Sequence, residues 1–337
     1  MGDLAYYSNE YDGARIAAPL AGSGRPVVLL TGSYDYSASP ANTRQLHDAV
    51  NSDNVTFNEM PELGHFADSP QAPWRLKIMS DVPVFEVYAI QYATSTRPTA
   101  DYFVGSDPHD GQSPINYYVW LIRSDDRIIL IDTGFNAERA KQRGRNFLRC
   151  PTEGLRSLGI APEDIDTVIV THLHYDHAGN LDLFPNARFV LQDEEMRFAT
   201  GRYMRHELMR APFELSDVLR MVTSNFEGRV DFVNGDAELC PGVGLHHVPG
   251  HSLGLQSVTV NSKRGRLCLA SDAAHFFDNI RLGNPFKVTT HVGDTLEGHD
   301  RVLKLAGSTD RLIPGHDPQV SEIYPEHPDD SLILVLS

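Results

Sequence analysis

The chain has 337 residues and carries 29 Lys and Arg against 45 Asp and Glu, a formal net charge of −16. That length excludes a single small module and accommodates one large domain, or a large domain with a smaller companion. The acidic balance, with no Lys/Arg-rich run, argues against nucleic acid or an anionic membrane surface as partner. The longest apolar runs, such as the Ile-Ile-Leu-Ile centre of Arg127 to Asp132, fall far short of the ~20 residues that span a bilayer.

In chain order, Met1 to Tyr7 lacks a basic start followed by an apolar block, so no secretory signal is read and the cytoplasm is the expected compartment. A strand is expected at Pro26 to Thr31, a turn at Gly32, a helix around Thr43 to Val50 and a second strand at Val55 to Met60. A boundary is expected near Trp74 to Asp81, because from about Val82 the pattern changes to a series of strands. These are Val84 to Tyr92, Tyr117 to Arg123, Arg127 to Asp132, Thr167 to Thr171 and Ala187 to Leu191, with helical stretches between some of them. Asp193 to Asn225 is rich in Met, Phe, Leu and Arg at helical spacing and reads as helices covering a site built on strand ends. Strands follow at Gly244 to Val248, Gln256 to Val260 and Arg266 to Ala270, and a helix at Leu296 to Ala306. The three cysteines, Cys150, Cys240 and Cys268, are scattered and odd in number, and are expected to be reduced.

The strongest chemical signal follows the β-branched run Thr167-Val168-Ile169-Val170. There Thr171-His172-Leu173-His174-Tyr175-Asp176-His177 places four metal-type side chains within six residues. Imidazoles and a carboxylate suit zinc or another divalent transition ion, and so many donors so close cannot all reach one tetrahedral ion. Two neighbouring ions are the simpler solution. Three further positions sit in turns at strand ends: His251 in Pro249-Gly250-His251-Ser252, Asp272 in Ala270-Ser271-Asp272-Ala273, and His316 in Pro314-Gly315-His316-Asp317.

The order His-x-His-x-Asp-His, then His, Asp and His, resembles the metallo-β-lactamase superfamily over about Val82 to the C-terminus. The resemblance implies an αβ/βα sandwich with two divalent ions, expected to be Zn2+, at one edge of the paired sheets. It also implies a ligand split: His172, His174 and His251 for one ion, Asp176, His177 and His316 for the other, and Asp272 shared. Asp132, in Leu130-Ile131-Asp132-Thr133-Gly134, matches a strand-end aspartate that orients such a site without being a ligand. Domains are therefore expected at 1–80 and 81–337, the second being the metal-dependent hydrolase.

Gly250-His251-Ser252-Leu253-Gly254 also matches the Gly-x-Ser-x-Gly nucleophile elbow. The match overlaps the metal histidine, and no acid and histidine follow from an α/β-hydrolase sheet, so Ser252 is not taken as a nucleophile. The N-terminal segment complicates this. Leu29 to Asp35 and Met60 to Phe66 resemble the last two strands of an α/β-hydrolase, with Asp35 and His65 where that family keeps its acid and base. Its nucleophile half is absent, so 1–80 is read as a non-catalytic remnant or docking segment able to mediate a homodimer.

The wording His-Leu-His-Tyr-Asp-His-Ala-Gly-Asn, Val-Pro-Gly-His-Ser-Leu-Gly and Ile-Pro-Gly-His-Asp is most similar to the N-acyl homoserine lactonase group. What that implies is opening of a small-molecule lactone or related ester, and so quorum quenching, by hydroxide generated between two ions ~3.5 to 4 Å apart. Asp176, Asp272 and His275 are the catalytic candidates. His275 stands where the group commonly carries a tyrosine, and a histidine there can still donate a proton or hydrogen bond. The alternatives are a glyoxalase II-like thioesterase, against which the lack of a basic cluster argues, and a metal-free pseudoenzyme serving as a binding module. A phosphodiesterase is disfavoured by the charge, and a di-iron oxidoreductase by His174, where such proteins usually show an acid. The substrate wall is expected from Phe198, Tyr203, Met204, Phe213 and Leu219, with Phe276 to His291 as a second candidate wall.

Overall fold

In the computed structural model the described residues are 27–32, 55–60, 82–107 and 109–337. The chain divides into two units, 1–82 and 83–337, each considered by itself. In the first, β1 (Val27–Gly32) and β2 (Val55–Met60) pair in parallel, in register from Val27 beside Val55 to Gly32 beside Met60. Both strands fall where the apolar runs predict them. A single parallel pair is common to many folds and lends no support to the α/β-hydrolase resemblance. The helix expected at Thr43 to Val50, the boundary region Trp74 to Asp81, Asp35 and His65 lie outside the described residues.

The second unit is built on two sheets. The first takes β3 (Glu86–Pro98), β4 (Gln112–Arg123), β5 (Ile128–Ile131), β6 (Asn146–Phe147), β7 (Thr167–Ile169), β8 (Arg188–Gln192) and β9 (Val230–Val233). The second sheet takes β10 (Ala237–Cys240), β11 (Val243–His247), β12 (Gln256–Ser262), β13 (Gly265–Ser271) and β14 (Leu312–Pro314), in that spatial order. The chain then returns to the edge of the first sheet with β15 (Glu326–His327) and β16 (Asp330–Val335), giving the order β15-β16-β3-β4-β5-β7-β8-β9, with β6 against β3.

Alternation along β4 explains why the layers stack. Ile115, Tyr117, Val119 and Leu121 enter one core, and Tyr118, Trp120 and Ile122 enter another. A strand with both faces buried reads as a continuous apolar run. The first core is closed by helical side chains, among them Ala140, Leu155, Phe198, Val218 and Met221. The second is closed by the other sheet through Val243, Leu245, Val258, Val260, Leu267 and Leu269. A third core lies between the outer face of that sheet, at Cys268 and Ala270, and the helix Val292–Ala306, at Val302 and Ala306. The result is a four-layer αβ/βα sandwich, as the resemblance implies.

Several elements depart from the pattern read in the sequence. Asp193 to Asn225 is helical but broken into Asp193–Ala199, Arg202–Arg205, Glu207–Arg210 and Leu215–Phe226. The sequence pattern gives no strand at β6, β9, β10, β15 or β16. β9 and β10 are short edge strands with little burial, so they carry almost no periodic signal. β16 is held by antiparallel pairing of Ile333 with Ile90, a contact across most of the chain. The three cysteines are free, with Cys240 and Cys268 buried.

One buried acid in this frame makes stability depend on pH. Asp217, in the first turn of Leu215–Phe226, accepts a hydrogen bond from Ser216 on Oδ1, while its Oδ2 is buried without a partner. Burial raises its pKa from the ordinary 3.8 to about 6. The folded chain therefore prefers the protonated acid, and the penalty of the charged form grows as pH rises from 3.8 towards 6 and is complete above it. Thermal melts of Asp217→Asn and wild type from about pH 4 to about pH 8 should show the variant gaining on wild type with rising pH. A Tm difference that does not change with pH would refute the assignment.

Candidate metal centre

The ends of two parallel strand pairs, one in each sheet, deliver the candidate residues. In the first sheet β5 and β7 run parallel, ending at Asp132 and at the loop from Thr171. In the second sheet β13 and β14 do the same, ending at Ser271-Asp272 and at Gly315-His316. Loops at the carboxyl ends of neighbouring parallel strands converge, which is why residues 132, 172 to 177, 272 and 316 meet. The loop after β11 adds His251. Glycine is required where these loops touch: a Cβ on Gly315 would lie 2.8 Å from Asp272 Oδ1, and one on Gly254 would lie 2.0 Å from the Glu195 nitrogen.

Asp272 is the hub. Its Oδ2 lies 3.1 Å from His251 Nε2, 3.0 Å from His275 Nε2 and 3.7 Å from His172 Nε2. Its Oδ1 lies 3.0 Å from His316 Nε2 and 3.2 Å from His177 Nε2. The ligand atoms of His172, His174, His251 and Asp272 lie within 4.8 Å of one another, as do those of Asp176, His177 and His316, and those of Asp272, His275 and His316. All seven residues expected as ligands are thus brought together, and His275 joins them.

The outer nitrogens of four rings are occupied. His251 Nδ1 donates to Val288 O at 2.7 Å, and His316 Nδ1 to Asn116 O at 2.8 Å. His177 Nδ1 meets Asp132 Oδ2 at 2.7 Å, and His172 Nδ1 meets Thr171 Oγ1 at 3.1 Å. A ring that donates through Nδ1 keeps a lone pair on Nε2 when neutral, and that lone pair points at the Asp272 carboxylate or at another ring. His172 Nε2, His177 Nε2 and Asp272 Oδ1 are buried without a hydrogen-bond partner. Ring nitrogens and carboxylate oxygens about 3 Å apart and out of water coexist only with positive charge among them, carried by ring protons or by bound cations, and the donor set fits one or more cations. The donors are nitrogen and oxygen only, five imidazoles and two carboxylates, which suits zinc and similar divalent ions.

The electrostatics agree. Burial holds the His172 and His174 pKa values well below the ordinary imidazole range, so both rings are neutral. Burial alone would raise Asp272; His275, His177, His316 and His251 around it outweigh that and hold its carboxyl well below the usual range. Burial likewise opposes charge on His177, yet Asp272, Asp132 and Asp176 push its pKa well above the ordinary value. Carboxylate and ring charge thus stabilise one another in the cluster, and a bound cation can take the place of the ring protons.

Supports around it were only partly anticipated. Asp132 and Ser271 adopt φ of 64° and 49°, a region that costs non-glycine residues energy. Asp132 is held there by Thr171, whose N and Oγ1 donate to its two oxygens at 2.7 and 2.8 Å, besides its contact with His177. Glu195 has no counterpart in the sequence reading, since an acid in the first turn of a helix gives no special signal. It is fully buried, and accepts from Leu173 N at 2.9 Å, from Gly254 N at 3.0 Å and from the Ser252 hydroxyl. It therefore ties the two histidine loops together. Ser252 is spent on this contact, which accounts for the elbow-like motif without a nucleophile.

A cavity of about 160 Å³ opens beside the cluster, lined by His174, Asp176, His251, Asp272, His275 and His316 together with Tyr102, Tyr117, Pro212, Phe286, Val288 and other residues. The wall expected over Glu194 to Asn225 is corrected here: Pro212 of that segment lines the cavity, but none of Phe198, Tyr203, Met204, Phe213 and Leu219 does. Phe198 is core, Tyr203 and Leu219 are exposed, and Phe213 packs edge-on against His174 at 4.7 Å. The second expected wall contributes Phe286 and Val288. His275 lies flat on Phe286, ring centroids 3.6 Å apart, with its Nδ1 buried and unpartnered, and burial pushes its pKa down to about 3. The expected lack of a basic cluster is also corrected, because Arg97 and Arg145 both line the cavity. Neither sits in a motif.

The model of the metallo-beta-lactamase superfamily matches residues 113–316. The N-acyl homoserine lactonase AiiB of Agrobacterium fabrum is 32% identical over 209 residues, covering 56% of this chain and 72% of the relative. An N-acyl homoserine lactonase of Bacillus cereus is 30% identical over 190 residues, 51% of this chain and 70% of that one. Among solved structures, a quorum-quenching N-acyl homoserine lactone lactonase superposes with a TM-score of 0.62 at 23% identity, covering 74% of this chain and 98% of that one. AidC, a dizinc quorum-quenching lactonase, gives 0.57 at 16% identity, covering 70% and 89%. These two likenesses establish the fold, and the sequence matches establish more: the chain belongs to the metallo-beta-lactamase superfamily.

Proposed function

We propose that the chain is a metal-dependent hydrolase that opens a lactone or related ester, as its named relatives do with N-acyl homoserine lactones. The observation that carries this reading is Asp272, whose two oxygens are divided between two nests of imidazole nitrogen. His172, His174 and His251 would hold one divalent ion, Asp176, His177 and His316 a second, with Asp272 shared and Zn2+ the fitting metal. Bound there, the ions supply Lewis acidity that polarises a carbonyl and makes water acidic enough to attack at neutral pH.

The chain's own residues do the rest. Asp132 positions His177, and the carbonyls of Val288 and Asn116 fix the rings of His251 and His316. Asp176 is less buried than the other candidate ligands and lines the cavity, so it is placed to orient the attacking water. His275 is neutral, is held flat by Phe286 and faces the same cavity, and it gives the departing alkoxide a hydrogen bond. The chemistry belongs to 81–337, which holds every residue of the cluster.

Elemental analysis of the purified protein should find two metal equivalents. Chelator should abolish opening of homoserine lactones measured by pH-stat, and re-addition of Zn2+ should restore it. Hydrolysis of S-lactoylglutathione in preference to every lactone would move the reading to a thioesterase, and absence of metal would favour the binding module. His275→Ala should lower kcat about 100-fold with metal retained; an unchanged rate would remove His275 from the reaction. Asp132→Ala should weaken metal affinity roughly 10- to 100-fold in a chelator competition, and unaltered affinity would deny it the positioning role.

A further inference from the structure

One side of the cavity carries polar groups that the hydrolytic steps leave unused. Tyr102 is 4% exposed, packed against Phe276 and Phe286 at 5.6 and 5.7 Å, and its hydroxyl has no hydrogen-bond partner. Arg145 is anchored through Nε on the Tyr175 hydroxyl at 3.0 Å, while its Nη1 is buried and equally without a partner. Arg97 lines the same cavity, steadied by donation from Nη2 to Arg143 O at 3.2 Å.

Neighbouring arginines are treated differently by the fold. Arg139 and Arg143 pair with Glu214, and Arg149 pairs with Asp330. Among the described residues neither Arg97 nor Arg145 makes an ion pair. Of the acids that line the cavity, Asp101 is exposed and pairs with neither, and Asp176 attracts Arg145 without forming an ion pair with it. Burial pushes Tyr102 up to about 12, against the opposing pull of Arg145 and Arg97, so it remains a protonated donor. Two buried donors without acceptors are costly to maintain, and a guanidinium fork matches a carboxylate better than a neutral carbonyl.

We propose that the substrate carries a carboxylate besides the bond to be hydrolysed, and that Tyr102 and Arg145 bind it while Arg97 adds positive charge nearby. The inference rests on the lactonase reading and deepens it, naming a compact acid-bearing lactone or ester as the substrate class. The size agrees: about 160 Å³ is well below the roughly 300 to 1,000 Å³ of pockets that hold larger ligands.

The test compares γ-butyrolactone-γ-carboxylate with its neutral carboxamide on the metal-loaded full chain. The acid should be the better substrate by at least about ten-fold in kcat/KM, chiefly through KM, and Arg145→Met and Tyr102→Phe should each reduce that ratio towards one. Arg145→Lys keeps the charge but loses the fork and should recover part of the preference. Metal content and Tm measured on each variant identify any that fails to fold, and Tyr102→Phe removes only a hydroxyl. Equal rates on acid and amide, or a ratio that survives in folded Arg145→Met and Tyr102→Phe, would overturn the proposal. If neither of these lactones nor any homoserine lactone is opened, the lactonase reading fails by itself, and calorimetry with glutarate against butyrate still decides the inference. Tighter binding of glutarate that disappears in Arg145→Met supports it, and equal affinities in the wild type refute it.

Discussion

The burial of one carboxylate among imidazole lone pairs is the constraint from which the rest of this structure follows. Asp272 sits at the end of β13, 3% exposed, with five histidine nitrogens within 3.7 Å of its two oxygens. Acceptors crowded this closely out of water are unfavourable unless positive charge is placed among them. Everything around the cluster either aims those atoms inwards or keeps them from rotating away.

Two kinds of support do this. Carbonyl and carboxylate acceptors outside the cluster fix the rings, as Asn116 does for His316 and Asp132 for His177. Glu195 and Thr171 then tie the loops to one another, the first across Leu173 and Gly254, the second through Asp132 and the hydroxyl of Ser271. The left-handed backbone at Asp132 and Ser271 is the local cost of bringing two sheet edges to one point. It is offset by packing, because β4 and its neighbours are buried on both faces between the two large cores.

Placing a site on the ends of rigid strands leaves substrate choice to the surrounding loops. Here those loops contribute Tyr102, Arg145, Phe286 and Val288, a mixture of apolar surface and unpaired donors. Water expelled from such a cavity strengthens any charge interaction that remains within it. Long-range attraction is a separate matter: a chain of net charge −16 does not draw anions from a distance, so recognition of an acid depends on the half-buried Arg97 and Arg145 at short range.

The sequence by itself determined the donor chemistry and the strands that carry it. His172, His174, Asp176 and His177 follow a β-branched run directly, and His251, Asp272 and His316 each occupy a turn between apolar segments, so residue type and local pattern were enough to pick out the side chains that the fold gathers. The four-layer sandwich was reachable by resemblance for the same reason. Tertiary structure alone decided what lies beyond the donors. Glu195 supports the site through contacts with residues 173, 252 and 254, and Arg145 meets the cavity through a hydroxyl thirty positions away. The side chains expected to form the helical wall missed the cavity on the same ground. Helical spacing in Asp193 to Asn225 reveals that one face is buried, but not whether that face meets a core or a cavity, and here Phe198 and Val218 went to the core. Local pattern is set by neighbours along the chain, whereas cavity walls and hydrogen-bonded supports are set by distant segments that only packing brings together.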